Sequence, residues 1–417
     1  MSNPLRVFYV DLCPSPGGSI FSLFHLVSQL DRSQVQPLVA LATVNEFTRF
    51  EDTDIPTVRV HVPRWDRGFA APAADSAVTA PRARAQTLRT HARGGAVWRT
   101  AGGLRRLGRD IAPVARDLVR VLRSFQPDLV HLNDIIPLNQ AGALACRLTQ
   151  TPAICHCRSF ETASNSDIRW LLPGIDGMVF ISQAIATTHL AAMPPLHHHA
   201  IIPNAVNLHD YIASDAPAEL RAALGIPADA PLLTMAGRIS PWKGQHVFVQ
   251  ALARVRAQVP AARGLIVGLA EEADGPGYAA RVRAQADTLG LHDALHFTGF
   301  RRDIPAVFAA SDVVVHSSVK PEPFGRVIIE GMAAGRATVA TALGGTAEII
   351  TNGVDGLLVP ADDSAALADA LVRLLADPVE RARLGAAARQ TVEERYQVQT
   401  HVQAMLNFYA RVLAGRH

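Results

Sequence analysis

The sequence predicts two α/β domains, each a parallel sheet covered by helices on both faces. Three observations lead there. At 417 residues the chain is too long for one hydrophobic core. Short, continuous apolar runs of the kind that fill doubly covered sheets alternate with helical patterns nearly throughout. The alternation pauses and restarts near Pro231, so residues 1–205 read as one domain, 206–395 as a second, and 396–417 as a closing helical segment.

In the first domain, residues 7–11 and 35–42 read as strands around a helix at 19–30. Residues 129–132, 153–157, 177–181 and 200–202 read as further short strands. Between 64 and 100 the pattern collapses into alanine, arginine, proline and glycine, which predicts a mobile loop. After it, Val97, Ala101, Leu104, Leu107, Ile111, Val114, Leu118, Leu122 and Phe125 recur at helical spacing, with arginines opposite. Pro113 is expected to break or restart that helix. Residues 210–231, with prolines and alternating charges, read as the linker. The second domain has strands at 232–236, 265–267, 295–298, 312–316 and 337–341. Helices at 365–376, 378–396 and 399–413 follow.

A net charge of +3 argues against nucleic acid as a partner. The start of the chain is interrupted by Arg6 and Asp11, so it reads as a buried strand and not as a signal peptide. Four cysteines are too few for a disulfide scaffold, which points to reduced thiols and a cytoplasmic location. Cys155-His156-Cys157 has the wrong spacing for zinc, so no metal is expected. From Arg82 to Arg123 there are eleven arginines against two acids, Asp110 and Asp117. One reading is a solvated helix face beside a loop; the other is contact with an anionic lipid surface at the inner membrane face or with a lipid-diphosphate acceptor. The chain has two lysines, Lys243 and Lys320, both near the motifs that follow.

In the stretch 320–335, a helix starting near Gly325 is apolar or glycine from Val327 to Ala334, except for Glu330. A helix without a polar face belongs inside a domain, and an acid there needs a partner. Glu322 is held between Pro321 and Pro323 in an extended loop. In doubly wound sheets, ligands bind beyond the carboxyl ends of the strands. Each second-domain strand delivers glycine or charge to that rim: Gly237-Arg238 and Lys243-Gly244, Gly268, Gly299, Glu322, then Gly344-Gly345 with Glu348. Glycine lets a backbone approach a ligand, and helix starts favour anions. Such a rim suits a diphosphate, with Glu330 able to accept from a vicinal diol.

Three motifs in register resemble the donor-binding half of retaining glycosyltransferases of family 4, which have the GT-B fold. They are Gly237-Arg238-Ile239-Ser240-Pro241-Trp242-Lys243-Gly244, Glu322-Pro323-Phe324-Gly325 with Glu330 eight residues after Glu322, and Gly344-Gly345 with Glu348. The resemblance implies two Rossmann-like doubly wound domains facing each other across a cleft, with the final helix packing back on the first. It implies catalysis by Arg238, Lys243 and Glu322: the two cations on the donor diphosphate, the acid on hydroxyls of the donor sugar. Glu330 would take the ribose hydroxyls. Gly17, Gly18, Gly237 and Val327 would line the donor, and Phe324, Gly325 and Arg326 would present backbone amides to its sugar or phosphate. The implied partners are a nucleotide-sugar donor and a carbohydrate or lipid-linked acceptor, in polysaccharide or glycoconjugate synthesis, without cofactor or metal.

Several positions keep two readings. Arg238 and Lys243 taken alone could be a solvated pair at a helix start, and Glu322 and Glu348 could simply favour helix N-termini. Pro14-Ser15-Pro16-Gly17-Gly18-Ser19 is either a site loop or a plain turn, and it lacks the nicotinamide Gly-x-Gly-x-x-Gly pattern. Where family members often carry a histidine at the end of the 153–157 strand, this chain has Arg158, with His156 two residues earlier. Either could meet the sugar or acceptor, and His156 could equally be a core histidine. A nucleotide-sugar epimerase of similar fold, a pyridoxal-phosphate phosphorylase and a non-catalytic nucleotide-sugar-binding protein are the rival readings. The phosphorylase needs a Schiff-base lysine, for which the two lysines beside phosphate-type loops are poor candidates.

Overall fold

The computed structural model describes residues 3–14, 17–64, 105–211, 217–270 and 277–415. The loop expected at 64–100, the helix positions Val97, Ala101 and Leu104, and the arginines from Arg82 to Arg99 lie outside the described residues, Arg64 apart.

Thirteen strands are described: β1 (Leu5–Asp11), β2 (Val35–Ala42), β3 (Thr57–Val60), β4 (Leu129–Asn133), β5 (Ala153–Cys157), β6 (Gly177–Phe180), β7 (His198–Ile201), β8 (Leu232–Ala236), β9 (Arg263–Val267), β10 (Leu295–Gly299), β11 (Val313–His316), β12 (Ala337–Thr341) and β13 (Leu357–Val359). They form a seven-stranded sheet ordered β3-β2-β1-β4-β5-β6-β7 and a six-stranded sheet ordered β10-β9-β8-β11-β12-β13. Each order reverses beside its first strand: β1 pairs in parallel with β2 and β4, and β8 in parallel with β9 and β11. These are two Rossmann-like doubly wound sheets, the GT-B architecture. The strands are apolar on both faces because both faces are covered: β4 and β5 are buried at every position.

The chain divides into two compact units, one of residues 1–179, 189–200 and 407–417, the other of 180–188 and 201–406. The sequence places the division at 206 and the closing segment at 396. The stretch 210–231 is no plain linker. It supplies the helix Pro217–Ala223, whose Leu220 is buried with Ile226, Leu232 and Phe308 in the second unit's core.

Residues 112–125 are helical, with Pro113 in the first turn of that helix. A π-helical turn at Leu107–Ile111 precedes it, so the chain continues helical through the proline. Among the described residues, no helix is long and apolar enough to cross a membrane.

Candidate donor site

The carboxyl ends of β8, β11 and β12 carry the three motifs of the second unit. After β8 the chain runs through Arg238 to a 3-10 turn at Pro241–Lys243 and then into the helix Gln245–Gln258. After β11 come Ser317, Ser318 and the Glu322 loop, and then the helix Arg326–Ala333. Backbone and side-chain bonds stitch the first two together. Val319 N donates to Trp242 O at 2.8 Å, and Ser317 Oγ donates to Gly244 O at 3.0 Å. The approach is so close that a Cβ on Gly244 would sit 2.0 Å from Ser317 O, and Gly244 has φ +75°, a left-handed conformation.

This seam brings Lys243 to Glu322. Lys243 Nζ lies 2.7 Å from Glu322 Oε2, with the two side chains 16% and 10% exposed. The ammonium also sits 4.1 Å from the centre of the Trp242 ring. His316 Nε2 and Ser318 Oγ are each 3.2 Å from the same carboxylate oxygen. Burial pushes the Glu322 carboxyl up, but the Lys243 charge and then the His316 contacts outweigh it and hold the group far below its ordinary range. Glu322 is thus an ionised carboxylate at neutral pH, held by these contacts. Its backbone is pinned as well: Gly345 N donates to Glu322 O at 2.8 Å, and Gly344, at φ +70°, lies where a Cβ would be 2.5 Å from that oxygen. The Gly344-Gly345 pair therefore packs against the Glu322 loop.

Glu330 lies on the helix Arg326–Ala333 and is 15% exposed at its side chain. Its partner is Arg326, one turn earlier, at 2.8 Å. Arg326 thus brings its guanidinium to the site, beyond the backbone amide expected of it. Burial, and then the Glu330 charge, push the Tyr211 phenol well above its ordinary value. Gly325 caps the helix, Val327 packs on the core cluster around Phe308, and Phe324 is buried with its ring edge-on to Tyr396 at 5.9 Å. Arg238 is exposed on the loop after Gly237, and its carbonyl is held by Gln245 Nε2 at 2.9 Å.

Glu348 does something the sequence did not foretell. Its carboxylate accepts from Gln183 N at 2.7 Å and Ala184 N at 2.8 Å, capping the start of the helix Gln183–Ala191. Both earlier readings placed it at its own short helix, Thr346–Ile349.

In the first unit, Gly17 caps the helix Gly18–Ser28 in an extended conformation, and a Cβ there would meet nothing within 4 Å. Gly18 is exposed. Arg158 is buried: its Nε donates to Asn133 Oδ1 at 2.7 Å, and its Nη2 donates to His156 Nδ1 at 3.2 Å. Asn133 in turn donates to Asp11 Oδ2 at 2.6 Å. His156 is fully buried, 3.2 Å from His131 Nε2, and His131 Nδ1 lies 2.6 Å from Tyr409 OH. Asp134, just past β4, has φ +78° and is raised to about 6, by burial first and by Asp11 among the nearby charges. Among the described residues, no group of three or more His, Cys, Asp or Glu could hold a metal ion.

His316 and Ser318 are the members of this site that sequence reasoning missed. The available signal was a histidine at the carboxyl end of a buried strand, six residues before Glu322.

Comparison with known proteins gives two family matches. Residues 57–210 match the model described as Glycosyltransferase Family 4, and residues 217–391 match Glycosyl transferases group 1. A D-inositol 3-phosphate glycosyltransferase of Xylanimonas cellulosilytica is 36% identical over 223 residues, covering 52% of each chain. The lipopolysaccharide core biosynthesis glycosyltransferase LpsD of Rhizobium meliloti is 33% identical over 204 residues, covering 49% of this chain and 56% of its own. The chain spans about half the length of the curated relatives it matches. The crystal structure of Anabaena Alr3699/HepE in complex with UDP and glucose has a TM-score of 0.78 at 25% identity, covering 98% of this chain and 100% of the other. The same protein in complex with UDP-glucose gives a TM-score of 0.77 at 25% identity over 99% of this chain and 100% of that one.

Proposed function

We propose that this chain, whose family matches support a glycosyltransferase of the family 4 type, is a retaining hexosyltransferase. It moves a sugar from a nucleotide diphosphate to an acceptor hydroxyl in polysaccharide or glycoconjugate synthesis. The observation that carries this reading is the Lys243–Glu322 pair at the carboxyl ends of β8 and β11, a largely buried cation beside a buried acid.

In this reading, Arg238 and Lys243 hold the donor diphosphate, Glu330 accepts from the ribose hydroxyls and Glu322 from hydroxyls of the sugar. Gly325 and Arg326 open the helix Arg326–Ala333 and offer backbone amides to the phosphates. As the bond between anomeric carbon and diphosphate oxygen breaks, negative charge grows on the leaving group. Preorganised cations and amides stabilise that charge, and losing one such donor commonly costs about a hundredfold or more in turnover. The acceptor oxygen bonds to the anomeric carbon on the face the diphosphate leaves, and its proton passes to the diphosphate. No protein nucleophile, cofactor or metal takes part. UDP and UDP-glucose in the structures of the Anabaena protein support a nucleotide sugar as donor.

The acceptor is proposed to bind the first domain, where Arg158 and His156 are the proposed sugar or acceptor contacts. Arg105, Arg106, Arg109, Arg116, Arg120 and Arg123 are exposed, and they support peripheral contact with an anionic inner membrane face from a cytoplasmic location. Salt-sensitive flotation with anionic liposomes is expected; absence of binding at low salt ends the membrane reading.

The test of function is turnover. Lys243→Ala and Glu330→Ala, each folded, should lose nucleotide-sugar turnover. Near-normal turnover by both contradicts the proposal.

A further inference from the structure

Glu322 receives three donors, and all three reach the same oxygen. Lys243 Nζ, His316 Nε2 and Ser318 Oγ lie 2.7, 3.2 and 3.2 Å from Oε2, whereas Oε1 has no partner among the described residues. We propose that His316 is a positioning residue: with Ser318 it anchors Oε2 of Glu322 from below, so that Oε1 stays presented to a hydroxyl of the donor sugar. The inference rests on the donor-site reading above and deepens it.

The three donors are not equivalent. Lys243 is a point charge on a flexible four-carbon stem. In the donor complex it also has the diphosphate to serve, which draws it from Glu322. His316 has no such freedom. It is the last residue of β11, paired in register with Ala340 of β12, and it is only 3% exposed. Its neighbour Ser318 is fixed through its carbonyl, which accepts from Thr341 Oγ1 at 2.9 Å. These two hold the carboxylate when the lysine turns to phosphate.

The protons follow from the charge. An ionised Glu322 only accepts, so His316 Nε2 must carry hydrogen and donate to Oε2. The Ser318 hydroxyl, 3.1 Å from the same nitrogen, then donates to Oε2 as well. An imidazole with its hydrogen on Nδ1 instead would set a lone pair against the carboxylate at 3.2 Å.

Two amides of different reach test this in the full chain. His316→Gln keeps an N–H donor near the position of Nε2, and His316→Asn falls short of it. Binding is measured for the best nucleotide sugar of a panel and for its nucleoside diphosphate alone. His316→Asn should weaken nucleotide-sugar binding about tenfold or more, the usual weight of a hydrogen bond to a charged group. Binding of the diphosphate alone should stay within about twofold, and His316→Gln should restore sugar binding to within about threefold. Ser318→Ala, a milder change, should lower sugar binding in the same selective way, and it decides the matter if His316→Asn does not fold. Wild-type nucleotide-sugar affinity in His316→Asn or in Ser318→Ala, or equal loss of nucleotide sugar and diphosphate, overturns the inference while leaving the donor site standing. A wild-type chain that binds no nucleotide sugar overturns both.

Discussion

Lys243 Nζ and Glu322 Oε2 lie 2.7 Å apart with little water around either. Breaking a buried pair by removing one member leaves a desolvated charge behind, a loss on the order of 3–5 kcal/mol. Lys243→Met should therefore destabilise the folded chain by a few kcal/mol, about 3 by that rule, in urea denaturation. Adding Glu322→Gln should recover much of the loss, because the orphaned charge goes with it. Additive losses would mean the pair is not coupled.

The same pair has a pH signature. Folding lowers the Glu322 carboxyl far below its ordinary 4.5, so the unfolded chain takes up its proton first as pH falls. The stabilisation is therefore complete above about pH 4.5 and is lost only as acid approaches the much lower folded value. The stability gap between wild type and Glu322→Gln should be constant from pH 6 to 8 and shrink only below about pH 4.5. A gap that closes near neutrality would place the ionisation elsewhere.

Asp134 runs the other way. Its carboxyl is raised from 3.8 to about 6, by burial first, so the folded chain holds a proton that the unfolded chain has released between those values. Stability contributed by this group falls as pH rises through that window, and above it the native state carries a costly buried charge. Asp134→Asn should melt higher than wild type at pH 8, with the difference gone near pH 3.5. Asparagine also tolerates the φ of +78° at this position. A variant that melts lower at pH 8 would show that the charge is needed.

Gly244 holds the seam. With φ +75° and a would-be Cβ 2.0 Å from Ser317 O, Gly244→Ala must move backbone. The left-handed conformation alone costs about 1–2 kcal/mol, and the clash adds to it. The variant should lose more stability than that in urea denaturation, and donor binding with it, because Lys243 is the preceding residue. Wild-type stability would mean that the two loops can part freely.

Much of this was legible in the sequence, for physical reasons. β2, β5, β8 and β12 fall on the residues expected, since continuous apolar runs bounded by polar turns leave little ambiguity. β3 and β13 were not foreseen: they are four and three residues long, and each is the edge strand of its sheet. In the site, Lys243 and Glu322 were legible through motif spacing. His316 and Ser318 were not, because their role is a through-space contact that only the register of β11 creates. Arg326, four residues before Glu330 on one helix, was visible as an ion-pair partner but was read for its backbone alone. Glu348 bonds amides 165 and 164 positions away, a separation no local pattern reports.

The central claim is that the second unit grips an activated sugar through its diphosphate and pentose. It is tested most directly by the thermal stability of the full chain against a panel of nucleotide sugars. A ligand that binds the folded state stabilises it by about 2.7 kcal/mol at a hundredfold excess over Kd. At least one nucleotide sugar should raise the melting temperature of the wild type, and Lys243→Ala and Glu330→Ala should each abolish that rise. A panel that leaves the wild type unmoved, or a rise that survives both substitutions, would contradict the account.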